Sequence, residues 1–216
     1  MIKRKITQLD IYKVYDETDQ QFYYGCDQEW YASKWKKLSG CGPTAASNLV
    51  LYQTQGRFLN TTPYGTDKVL CQNLMEEVWK YVTPQLRGVS NTKMFYSGLM
   101  KYAAKVDLKV ENHFQNITKD KNHRVSLTRI IDFIDEALVQ DVPVAFLNLH
   151  SGDEKELDSW HWVTLVSLEY PEDKSTASIQ ILDAGKIMDI NLALWLATTK
   201  LGGGFVYIIL KPNELC

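Results

Sequence analysis

The chain changes from helical to strand-like periodicity near Pro143, and this order limits the folds that it can adopt. Before that point, apolar residues recur at helical spacing over residues 70–81, 95–106 and 127–138, the last with Ser126 as N-cap. After it come apolar runs typical of strands, at residues 144–149, 162–168, 177–182 and 205–210, with a short helix predicted over residues 191–199. Helices followed by mostly antiparallel strands predict an α+β fold.

Length and organisation indicate one domain. A chain of 216 residues that is 45% hydrophobic can bury a full core, and no repeat, low-complexity tract or Pro/Ser-rich linker divides it. We therefore predict a single domain over residues 1–216, with residues 1–24 as an N-terminal extension of the same domain. The first forty residues show no clear period and are predicted to form extended segments and loops.

Charge and cysteine content exclude several classes of protein. A net charge of −2 and a pI near 6.1 give no overall attraction to nucleic acid or to an anionic membrane. No apolar run typical of a signal peptide or a membrane span is present. The four cysteines (Cys26, Cys41, Cys71 and Cys216) lie too far apart for a zinc ribbon or a thioredoxin-type motif. We therefore expect a cytoplasmic protein with reduced cysteines, no metal site and no cofactor.

Cys41 is the cysteine whose surroundings point to chemistry. It lies in Gly40-Cys41-Gly42-Pro43, at the start of a helix predicted to end near residue 55 before Gly56. A thiol is nucleophilic as the thiolate, which the positive end of a helix and a neighbouring imidazolium both favour. The first N–H groups of such a helix, including that of Cys41, are also suitable donors to an oxyanion.

His161 and Asp183 are the predicted partners of this thiol. His161 opens one apolar strand, and Asp183 ends the next, 22 positions later. Two antiparallel strands joined by a polar loop would bring the carboxylate beside the imidazole. Asp183 would then hold one ring nitrogen and leave the other facing sulfur, although it could equally cap a turn before Gly185.

At these residues the chain resembles the papain-like cysteine peptidases, and specifically their bacterial C39-like branch. The matching segments are residues 40–48, then His161-Trp162-Val163, then Leu182-Asp183-Ala184. The resemblance implies a helical N-terminal part, whose central helix begins at the cysteine, packed on a C-terminal, mostly antiparallel sheet. It also implies a Cys41–His161–Asp183 triad that hydrolyses a peptide or other amide bond through an acyl-enzyme.

One departure concerns the oxyanion hole. Where the family has a glutamine shortly before the nucleophile, this chain has Trp35, and Gln28 is the nearest upstream amide. Gln28 is therefore our candidate for the missing donor. The lack of a glutamine at the family position also supports the alternative of a non-catalytic papain-like protein that binds a peptide or another partner.

Several further residues are assigned to substrate contact. They are Trp35, Gly42, His150, Trp160 and Trp162. The tryptophans either line a substrate groove or pack in an aromatic core, and His150 either lines the cleft rim or is structural. The acidic segment over residues 151–159 lacks calcium-loop spacing and is expected to favour basic substrates.

The same triad also serves acyl transfer, in which an amine or thiol replaces water. Arylamine acetyltransferases and transglutaminase-like enzymes use a Cys-His-Asp triad of this kind. The expected partner is a peptide or amide substrate, with no nucleic acid and no membrane.

Overall fold

The helices of the protein start at residues that suit helix N-termini. The computed structural model describes residues 1–58 and 66–211, without the side chains of residues 55–58, so that Cys216 lies outside it. Five of its α-helices begin after a Ser, Asp or Asn whose side chain accepts a backbone N–H of the first turn. The helices are α1 (Lys34–Ser39), α2 (Cys41–Phe58), α3 (Lys68–Trp79), α4 (Thr92–Lys105), α5 (Leu127–Val139) and α6 (Leu192–Thr198).

Ten strands form two sheets within the described ranges. They are β1 (Ile2–Lys5), β2 (Lys13–Asp16), β3 (Gln21–Tyr24), β4 (Thr66–Asp67), β5 (Val110–Ile117), β6 (Val144–Asn148), β7 (His161–Tyr170), β8 (Ser178–Asp183), β9 (Lys186–Asn191) and β10 (Gly203–Leu210). The larger sheet runs β5-β10-β6-β7-β8-β9, with β1 added beside β7, and its paired strands are antiparallel. The smaller sheet is β3-β2-β4.

Helices cover both faces of the larger sheet. Strand β6 is buried at all five residues, and alternate side chains point to opposite faces because a strand has a period of two. Val144 and Phe146 join the hydrophobic cluster that contains α5 and α6. Ala145 and Leu147 join the cluster of α2 and α4. A central strand of this kind explains the continuous apolar run in the sequence.

Helix α2 lies in the middle of the molecule. Residues 42–52 are all buried, as expected for a helix that is enclosed on every side. Its start is held by close contacts that leave no room for side chains. A Cβ on Gly40 would lie 2.6 Å from Cε2 of Tyr31, and one on Gly42 would lie 2.8 Å from Cβ of Val89.

The predicted α+β, papain-like architecture is confirmed, with corrections to individual elements. Helix α2 continues to Phe58 instead of ending near residue 55. The first forty residues, predicted as extended segments and loops, contain strands β1–β3 but also helix α1, which was not predicted. Strands β5 and β9, at the two ends of the larger sheet, were also not predicted. Within the described ranges, no helix has the length and apolarity needed to cross a bilayer.

Candidate active site

The start of α2 and the start of β7 meet in one pocket. Cys41 is the first residue of α2 and is partly exposed, and His161 is the first residue of β7. Both border a pocket of about 130 Å³, which Asp183 and Gln28 also line. The structure therefore brings together the three predicted triad residues and the candidate oxyanion donor.

Asp183 holds the His161 ring. The Nε2 atom of His161 lies 2.8 Å from Oδ1 of Asp183, and the two side chains are 14% and 20% exposed. This contact occupies Nε2 and leaves Nδ1 as the ring nitrogen available to the Cys41 thiol. The arrangement matches the geometry expected of an imidazole oriented by a carboxylate.

A tight turn determines the position of Asp183. Ala184 and Gly185 both have positive φ angles, of 47° and 71°, and they join β8 to β9. Such two-residue connections suit the twist of paired strands. Oδ1 of Asp183 also accepts the backbone N–H of Ala184 at 3.0 Å. Asp183 therefore makes both of the contacts that its sequence position left open: it caps the turn, and it binds His161.

The surroundings of His161 favour the imidazolium form. Burial alone would lower the pKa of His161, but the hydrogen bond to Asp183, the interaction with the Cys41 thiol and the charges of both partners raise it to about 10. These interactions favour the protonated ring at neutral pH. An imidazolium beside a sulfur at a helix start is the environment in which a reactive thiolate is found.

Gln28 borders this pocket although it is distant from Cys41 in sequence. It lies in a short 3-10 turn, Gln28–Trp30, whose N-cap Asp27 accepts the N–H of Glu29. Oε1 of Gln28 is buried and has no hydrogen-bond partner among the described residues. Such groups are uncommon in native proteins. Helix α1 occupies the chain between Gln28 and Cys41, so the two residues meet through the fold.

Asn48 connects the parts of the site, a function that sequence reasoning missed. Its Oδ1 accepts the Cys26 N–H at 2.8 Å, and its Nδ2 donates to Oγ1 of Thr164 at 3.0 Å. The Tyr12 hydroxyl donates to its backbone carbonyl. Asn48 thus ties α2 to β7 and to the segment that carries Gln28. The sequence feature that could have indicated this role is a single asparagine followed by apolar residues on the helix that begins at Cys41.

The pocket that contains His161 is rich in carboxylates, and we call it the acidic pocket. Besides Asp183, it is lined by Asp27, Glu29 and Asp158, and no lysine or arginine lines it. Burial raises the pKa of Asp27, against the opposing effect of the Glu29 N–H. Of the predicted acidic loop, Asp158 reaches the pocket. Glu154 is instead buried and accepts the Asn191 N–H at 2.8 Å.

Three of the predicted substrate contacts make close contacts within the protein itself. Gly42 faces Val89 rather than a cavity. Nδ1 of His150 accepts the Gly152 N–H at 2.9 Å, and His150 lines neither the acidic pocket nor the groove described next. Trp162 borders the acidic pocket but packs mainly in the core. Its ring stacks on Phe95 at 4.2 Å, and its indole N–H donates to the Val89 carbonyl.

Trp35 and Trp160 lie on the other side of Cys41. They are 50% and 49% exposed and line a recess of about 360 Å³ together with Leu38, Ser39, Cys41, Leu86, Arg87 and Gly88. We call this recess the apolar groove. Cys41 borders both the acidic pocket and the apolar groove.

The other described cysteines lack the surroundings of Cys41. Cys26 and Cys71 are buried. Contact with Cys71, together with burial, raises the pKa of the Cys26 thiol well above its ordinary value. Both therefore act as small apolar side chains of the core.

The architecture and the placement of a cysteine at the head of the central helix are those of a papain-like fold. In keeping with this, the chain is similar to the crystal structure of UfSP from C. elegans, with a TM-score of 0.52 and 9% sequence identity. The match covers 98% of this chain and 34% of the UfSP chain, so this chain spans about a third of the length of that protein. No protein-family model and no curated protein sequence matches the chain.

We predict that Asp183→Asn lowers the pKa of His161. Burial lowers this pKa, and the variant removes the carboxylate that opposes the effect of burial. Protonation of His161 stabilises the fold fully below its unfolded pKa of about 6.5, and this contribution is lost as the pH rises to about 10. The variant should therefore lose about 1.5–3 kcal/mol of unfolding free energy near pH 6 and less near pH 10. Urea unfolding across this range and NMR titration of the ring test both statements.

Asp153→Asn is the matched control, because Asp153 is exposed and lines neither recess. It should leave the titration of His161 unchanged. A wild-type His161 that loses its proton below pH 7 would contradict the proposed electrostatics of the site.

Proposed function

We propose that the protein is a cysteine-dependent hydrolase of a peptide or other amide bond. The observation that carries this proposal is the 2.8 Å contact between His161 and Asp183 in the pocket that Cys41 borders. The papain-like fold, with Cys41 at the start of its central helix, supports it. The finer assignment to the C39-like branch rests on the motif residues alone.

In the proposed reaction, Nδ1 of His161 first gives up a proton and later takes one back, while Nε2 stays bound to Asp183. The Cys41 thiolate attacks the carbonyl carbon, and the C–S bond forms as the carbonyl electron pair moves to oxygen. When the tetrahedral intermediate collapses, the C–N bond breaks and Nδ1 of His161 gives its proton to the leaving nitrogen. The neutral imidazole then takes a proton from water, which attacks the thioester and releases the acid and the Cys41 thiolate.

The oxyanion would be bound by the Cys41 N–H and by the Gln28 side-chain amide. Two features support Gln28 in this role: it lines the same pocket, and its Oε1 atom has no hydrogen-bond partner among the described residues. An unused amide beside the nucleophile also weakens the case for a non-catalytic binding protein, which rested on the lack of such a donor.

Carboxylates in the acidic pocket support a preference for cationic substrates. The side chain of Asp158 makes no ion pair with a described residue, and Asp27 is only 8% exposed. A substrate cation beside them would gain attraction in a site of reduced dielectric constant. The proposed hydrolase therefore favours a positive charge near the scissile bond.

The acyl-enzyme can be tested with p-nitrophenyl acetate, an activated ester that needs no knowledge of the natural substrate. We expect one rapid equivalent of p-nitrophenolate per chain, with the acetyl group on Cys41 by mass spectrometry, followed by steady turnover. Cys41→Ser should abolish the burst. Gln28→Ala should slow acylation by about 10²–10³-fold, as for removal of one oxyanion donor.

Gln140→Ala is the matched control, since Gln140 lies at the exposed end of α5, and it should keep the wild-type rate. Acylation of Cys41 no faster than that of the thiols in the urea-unfolded chain would contradict the proposal. A stable acetyl-Cys41 that is released only after aniline is added would favour acyl transfer over hydrolysis.

The charge preference can be measured with two further esters, the p-nitrophenyl esters of β-alanine and of succinic acid. The cationic β-alanine ester should acylate Cys41 several-fold faster at low salt, and Asp158→Asn should reduce the difference because it removes one carboxylate. Equal rates with the two esters would eliminate the preference.

A further inference from the structure

The apolar groove exposes large hydrophobic side chains on one side of Cys41. Trp35, Leu38, Leu86 and Trp160 line it, with exposed fractions of 50%, 72%, 92% and 49%. They are four of the twelve large hydrophobic side chains that are exposed in the described part of the chain. Trp35 and Trp160 are the two exposed tryptophans among the described residues.

Three separate segments contribute to this groove. Trp35 and Leu38 come from α1, Leu86 from the loop between α3 and α4, and Trp160 from the residue just before β7. Apolar side chains that converge from distant parts of a chain while staying exposed mark an interaction site rather than a core.

Trp160 is held in an unusual backbone conformation. Its φ angle is 61°, a left-handed value that is rare for a bulky side chain. Such conformations have a cost in free energy and cluster at binding and catalytic sites. Here the conformation belongs to a side chain that stays half exposed beside the proposed nucleophile. Burial in the core therefore does not account for it.

The position of Cys41 identifies what this groove binds. Cys41 borders both recesses, so a substrate whose carbonyl carbon lies at the thiol is next to both the acidic pocket and the apolar groove. The groove volume of about 360 Å³ lies within the range of about 300–1,000 Å³ that is usual for ligand sites. Its one charged lining residue is Arg87, so the groove does not share the carboxylates of the acidic pocket.

We propose that the apolar groove binds a bulky apolar side chain of the substrate, next to the bond that is cleaved. This inference rests on the proposed function and adds the substrate class: a peptide or acyl chain that is apolar on one side of the scissile bond. Tryptophan rings provide large, rigid contact areas for such a group.

The test compares two reagents with the same reactive group, iodoacetamide and N-benzyliodoacetamide, at Cys41. The ratio of their rate constants is measured in the native protein and referred to the same ratio for the urea-unfolded chain. We expect the native ratio to favour the benzyl reagent by about tenfold or more, from burial of its ring. In Trp35→Ser/Trp160→Asn the ratio should fall toward the unfolded value.

The variants are chosen to preserve the fold. Both tryptophans are half exposed, and asparagine tolerates the positive φ angle at position 160. Val69→Ser/Val139→Ser is the matched control, since these side chains are 59% and 63% exposed and line neither recess. It should keep the wild-type ratio.

The outcomes separate this inference from the proposed function. Fast reaction of Cys41 with iodoacetamide, but a native ratio equal to the unfolded one, would overturn the inference and leave the hydrolase proposal standing. A double variant that slows both reagents equally would also overturn it. Slow reaction of Cys41 with both reagents would contradict the hydrolase proposal and the inference with it.

Discussion

Helix α2 packs along strand β7, and this contact determines where the Cys41 thiol and the His161 imidazole lie. Both side chains stand at the first residue of their element, so a shift of either element would separate them. The hydrogen bond from Asn48 to Thr164, at 3.0 Å, connects the two elements inside the core. A buried polar link of this kind specifies one relative position, because other positions would leave its polar groups unpaired.

The same packing explains why the site borders two recesses of different character. On one side of Cys41, carboxylates from the segment around Gln28 and from the loop before β7 line the acidic pocket. On the other, helix α1 brings Trp35 beside Trp160 in the apolar groove. Helix α1 occupies the chain between Gln28 and Cys41, and its Trp35 lines the apolar groove.

Much of the central architecture could be predicted, because burial leaves a pattern in the sequence. The apolar spacing of α3, α4 and α5 and the continuous apolar run of β6 follow directly from packing against the sheet. The residues expected beside the thiol, His161 and Asp183, meet because adjacent antiparallel strands bring their ends together.

The elements that were missed have weaker patterns for physical reasons. Strands β5 and β9 lie at the ends of the larger sheet, where one edge has no neighbour within that sheet and many side chains are polar. Helix α1 has six residues, too few to show a period. The surroundings of Gly42 and His150 depend on residues that are distant in sequence, Val89 for Gly42 and Thr199 for His150. Local sequence contains no information about such long-range contacts.

The central claim is that Cys41 and His161 form a thiolate–imidazolium pair. The most direct measurement is the rate at which iodoacetamide alkylates each cysteine as a function of pH, followed by mass spectrometry in the native protein and in His161→Ala. If the pair exists, Cys41 alone reacts rapidly below pH 7, and the substitution abolishes that reactivity. If Cys41 follows the curve of an ordinary thiol, near pH 8.5, or does not react in the folded protein, the pair does not form and the catalytic interpretation is wrong.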